Sequence, residues 1–188
     1  MLSTNADARG FDMQGFISYD IPNFSPRPSN YVSSKGGVGY SFFGRMELGP
    51  GMIETGFLYA PFSLTTLNNQ EFKFSGSYWT FPLLYRYEFW EPYLSLAAGF
   101  DYAVEGGTQI NVNGASAGAS NLSYQSHFGA VLSFQAKQDL GEDLSVVLDL
   151  RYRMGLGSAI DAPNGVTSTA TKLNFTSIGI GISKHLEE

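Results

Sequence analysis

Between residues 144 and 154 the chain reads Leu-Ser-Val-Val-Leu-Asp-Leu-Arg-Tyr-Arg-Met. Every even position is apolar or aromatic, and the odd ones are Ser, Val, Asp, Arg and Arg. A helix would scatter these charges around its circumference, whereas a strand gathers them on one face. The same two-residue rhythm returns over 38–48, 78–89, 94–102, 127–137 and 177–183, and less regularly over 11–20 and 51–62. The chain therefore reads as all-β, with eight strands.

Composition says which face meets what. Charged residues make up 15% of the chain and aromatics another 15%, against about 25% charge in an ordinary soluble domain. Yet mean hydropathy is close to zero, and no run of about 18 apolar residues marks a membrane helix. A closed barrel with apolar residues outward and polar ones inward satisfies both facts. The alternation alone leaves a second arrangement open. A soluble lipocalin-like barrel would point its apolar face inward around a ligand and its charges outward. Aromatics near strand ends, and glycine and serine sharing the charged face, favour the lipid-facing arrangement.

The connections alternate in length. Gly49-Pro50-Gly51, Trp90-Glu91-Pro92 and Leu140-Gly141-Glu142-Asp143 are tight turns. Between them, 21–35, 63–71, 105–121 and 157–170 read as longer polar loops. Short turns at one end and long loops at the other are the asymmetry of outer-membrane barrels. Residues 1–9 read as a tail and 10–185 as the barrel domain. Tyr59, Trp79 and Tyr102 above, with Tyr87, Phe89, Trp90 and Tyr93 below, are the expected aromatic girdles. Pro82 interrupts a strand, where it has no N–H to donate, so a bulge or local distortion is expected.

Strand parity, three short turns, four longer links and aromatic ends together resemble the small outer-membrane β-barrel family, of the OmpX-like and OmpA transmembrane-domain type. The resemblance covers residues 10–184. It implies an eight-stranded antiparallel up-and-down transmembrane barrel in the bacterial outer membrane. Lipopolysaccharide and phospholipid would then surround a monomer, with the long loops outside the cell. The segment Ile182-Ser183-Lys184-His185-Leu186 departs from the aromatic ending common in that family. The N-terminal residues contain no apolar signal-peptide core, as expected of a mature form.

Chemistry is sparse. The chain has no cysteine and two histidines, so no transition-metal site and no cofactor are expected. A net charge of −6 disfavours nucleic acid. No phosphate-binding or GxSxG motif occurs. Asp161 and Asn164 suit a turn as well as a Ca²⁺ contact.

The inward-facing charges are Arg45, Glu47, Glu54, Arg86, Glu88, Asp101, Lys137, Asp149, Arg151 and Arg153. An eight-stranded lumen is about wide enough for its own side chains, so these charges are expected to pair as a polar plug. Two alternatives remain open at this point: a narrow channel, and an enzyme that removes lipid A acyl chains. The second would centre on His127; adjacent Ser126 points to the opposite strand face, so a cross-strand serine such as Ser95 or Ser123 would have to serve. The leading expectation is a non-enzymatic barrel with a structural or surface role, its possible extracellular ligand meeting loops 21–35 and 105–121.

Overall fold

The computed structural model describes residues 10–25, 31–67, 71–90, 93–112, 115–117, 123–124, 126–141, 143–157, 160–161 and 172–186. Eight long strands form the body: β1 (Phe11–Ser25), β2 (Tyr31–Leu48), β3 (Gly51–Leu67), β4 (Glu71–Trp90), β5 (Leu94–Val112), β6 (His127–Asp139), β7 (Leu144–Gly155) and β8 (Lys172–Leu186). Each pairs antiparallel with its sequence neighbour, and β1 pairs with β8 from Phe11↔Leu186 to Ser25↔Lys172. The sheet thus closes into a barrel. Closure leaves no unpaired edge around its circumference.

Side chains alternate as the sequence requires. Along β1 burial switches at nearly every residue. Outward-facing Ile17 and Val38 are each 65% exposed, while inward-facing Glu54 and Arg86 are fully buried. Apolar residues outside and charges inside invert the polarity of a soluble barrel. The lipocalin-like alternative requires the opposite and is excluded. At the lower end, β2 turns into β3 through Gly49 and Pro50, with Leu48 opposite Gly51. Gly49 has φ +63°, a conformation that glycine adopts without a Cβ penalty.

The upper end corrects the loop assignments. Most of 21–35, 63–71 and 105–112 is paired strand, and Ala115–Ala117 folds back onto the end of β5. Residues 26–30, 68–70, 113–114, 118–122 and nearly all of 158–171 lie outside the described residues. Polar composition misled because a ladder is made by backbone groups whatever the side chains, and Phe24 and Leu64 within these stretches are buried. The ladders stop at different heights. β1–β2 pairing ends at Asp20↔Gly37 and β5–β6 pairing at Ala103↔His127. β3–β4 continues to Leu67↔Glu71, and β4–β5 to Phe72↔Val112. Strands β2 to β5, of 17 to 20 residues, therefore project beyond the closed section as a four-stranded sheet. About 9–11 residues suffice to cross an apolar layer.

Pro82 causes no bulge. The β3–β4 ladder skips the Gly56–Phe57 and Phe81–Pro82 positions and resumes in the same register, while Pro82 stays opposite Asp101 on β5. The missing N–H removes a rung without adding a residue. The β4–β5 register shifts lie elsewhere, between Ser77 and Tyr78 and between Glu88 and Trp90.

Candidate functional site

The lumen is the most built part of the molecule, and Glu54 on β3 is its hub. Glu54 Oε2 accepts hydrogen bonds from Arg45 Nε at 2.9 Å, Arg45 Nη2 at 2.8 Å and Arg86 Nε at 2.9 Å. Its Oε1 accepts from Arg151 Nη2 at 2.8 Å. One carboxylate thus gathers guanidinium groups from β2, β4 and β7.

The arginines reach further partners. Arg86 donates to Ser95 at 3.0 Å and to Ser133 at 2.9 Å. Ser133 in turn donates to Asp149 at 2.6 Å, and Asp149 accepts from Arg151 Nε at 3.2 Å. Arg45 also donates to Gln135, and the Arg151 guanidinium lies 4.2 Å above the Phe43 ring. The network links six strands from β2 to β7. On the remaining wall, Asp20 accepts from Ser177 of β8 and Ser18 of β1.

A second pair sits apart. Arg153 Nε donates to Asp101 Oδ2 at 2.6 Å. Arg153 Nη1 lies 3.1 Å from His127 Nε2 and 3.3 Å from the Leu173 carbonyl. The His127 ring meets Tyr78 edge-on at 5.2 Å.

The upper lumen is apolar, which corrects the expectation of a polar plug throughout. Phe24, Phe62, Leu64, Tyr78, Leu173 and Phe175 are buried together. Phe62 is 5.6 Å from Tyr78, 6.3 Å from Phe175 and 6.4 Å from Phe24, ring centre to ring centre. The inward positions of 58–64 are Leu, Ala, Phe and Leu. Both faces of that stretch are apolar or small, so parity carried no polar signal there.

Seven of the ten expected lumen charges do face inward and are buried: Arg45, Glu54, Arg86, Asp101, Asp149, Arg151 and Arg153. Glu47 is exposed at the lower rim. Lys137 is partly exposed and 3.9 Å from Asp139, and Glu88 is half-buried near the lower end of β4. Parity placed them on the inner face, but the strands run past the barrel mouth, where that face meets water. Asp20 was missed, although it shares its parity with Gln14 and Ser18. Ser126 is exposed while His127 is buried, so the two do not form a catalytic pair. Among the described residues, no group of three His, Cys, Asp or Glu side chains could hold a metal.

The aromatics cluster on the outside. Tyr59 lies 5.0 Å from Tyr40 and 5.1 Å from Trp79, and Tyr102 is 5.0 Å from Phe128. Below, Tyr87, Phe89, Trp90 and Tyr93 are exposed. Trp79 is not at a strand end, since β4 begins at Glu71. The upper cluster therefore sits partway along the strands rather than at their tips.

Ser133 is a sensitive joint, because its hydroxyl serves Arg86 and Asp149 at once. Ser133→Ala is expected to cost about 1–3 kcal/mol, the penalty for orphaning buried polar partners. Urea titration of the folded protein, read by tryptophan fluorescence, would measure it.

No family model and no curated protein sequence matches the chain. Solved structures do. The barrel is similar to Neisserial surface protein A, with 11% identity over 93% of this chain and 96% of that one, at a TM-score of 0.51. It is also similar to Ail, the attachment invasion locus protein of Yersinia pestis, whose structure holds the heparin analogue sucrose octasulfate. There identity is 10% over 95% of this chain and 99% of that one, at a TM-score of 0.54. The chain shares the eight-stranded antiparallel barrel fold of these small outer-membrane proteins.

Proposed function

We propose that the chain is a monomeric, non-enzymatic barrel of the bacterial outer membrane that seals its own lumen and presents the projecting β2–β5 sheet outside the cell. One observation carries this reading: the lumen holds the Glu54 ion network, which links six strands, and above it the aromatic layer around Phe62. Ions need a continuous polar path to pass. Here a paired-charge layer and an apolar layer stand in series. Each would have to open.

Outward Ile17, Val38, Phe100, Phe128 and Ile180, each more than 60% exposed, suit contact with phospholipid and lipopolysaccharide acyl chains. A lipid-modifying reading would need a nucleophile within reach of His127. That ring instead faces Arg153 and Tyr78, away from lipid. One structural relative is a surface protein by name and the other an attachment invasion locus protein, which fits a role carried by the projecting sheet and its tips.

Planar-bilayer recording tests the sealed lumen. Purified, refolded protein is expected to give no stable single-channel steps. Large, reproducible steps would overturn the proposal.

A further inference from the structure

Two buried polar atoms of the upper ion pair have no hydrogen-bond partner: Asp101 Oδ1 and Arg153 Nη2. Both residues are 5% exposed. Leaving an acceptor and a charged donor dry costs more than most single contacts return. Both residues also line a void of about 20 Å³, whose other walls include Pro82 and Val131 and the polar side chains of Thr80, Arg151 and Ser177. A site of roughly 10–15 Å³ on that measure holds one water.

Gly129 supplies the second observation. A Cβ there would lie 2.5 Å from Asp101 Oδ1 and 2.8 Å from Arg153 Nη2. The two orphan atoms therefore lie close together, packed against the Gly129 backbone where a side chain would displace them. We infer that this void is a built site for ordered water, bridging Asp101 Oδ1 and Arg153 Nη2. The chemistry selects water over an ion. One partner can only accept and the other only donate, and water does both at once. A chloride would meet the carboxylate, and a cation would meet the guanidinium. Phe175 of the aromatic layer forms part of its wall.

Val131→Ile, which adds one methylene to the void wall, gives opposite signs for the two states of the site. In a wet void it expels the water and strands both polar atoms, so the urea midpoint falls. In a dry void it fills empty space, and the midpoint rises. A rise would sink the proposal. A high-resolution structure of the unaltered protein gives an independent reading that needs no variant. It is expected to show solvent density within hydrogen-bond distance of both atoms. Their direct pairing with no density between them, or anomalous bromide or rubidium signal at the site after a soak, would overturn it.

Discussion

Glu54→Ala is expected to destabilise the barrel by about 3–5 kcal/mol, the range for breaking a buried ion pair and leaving its partner charged. The mechanism is specific to this hub. Four hydrogen bonds from Arg45, Arg86 and Arg151 end on one carboxylate. Without it, three guanidinium groups face one another in a closed lumen, and Asp149 is the nearest remaining carboxylate of the network. Glu54→Gln keeps the shape but not the charge, and should also be clearly destabilised. Glu47→Ala is the control, because that side chain is exposed at the rim; a change within about 0.5 kcal/mol is expected, as for ordinary surface positions. Equal, small effects at both positions in urea titrations would remove Glu54 from the centre of the network.

Ile180→Arg addresses the other face. Ile180 is 61% exposed and lies between Ile17 and Leu148 on the adjoining strands. On a surface facing water, such a change would be nearly neutral. On one facing lipid, an arginine near the midplane costs about 2–4 kcal/mol. The expected result is a lower urea midpoint for folding into phospholipid vesicles, of that size. A null effect would mean that this band does not face lipid.

The strands were legible where one face is uniformly apolar and the other polar. Residues 144–154 are the clearest case, and there Asp149, Arg151 and Arg153 all face inward. Residues 11–20 carry the same pattern more faintly, and Asp20 went unnoticed at its end. Legibility failed for three physical reasons. Along 58–64 both faces are apolar or small, so the aromatic upper lumen left no alternating trace. At 31–35 and 105–112 polar and small residues pair as strands through their backbone groups, and at 21–25 neighbouring Pro22 and Asn23 hid a strand whose Phe24 is buried in the aromatic layer. At Glu47 and Lys137 the parity was right but the height was wrong, since alternation says which face a residue occupies and not where the barrel ends.

The amino-acid sequence by itself determined the fold class, the number of barrel strands and the sidedness of most of their residues. Those follow from a period of two, which is a local property of the backbone. Tertiary structure decided the rest. That Glu54 meets arginines 9, 32 and 97 positions away depends on closure and register. So do the meeting of Asp101 with Arg153 across β6, the small void beside them and the unequal strand tops. Register fixes which inward side chains share a level, and no single strand carries that information.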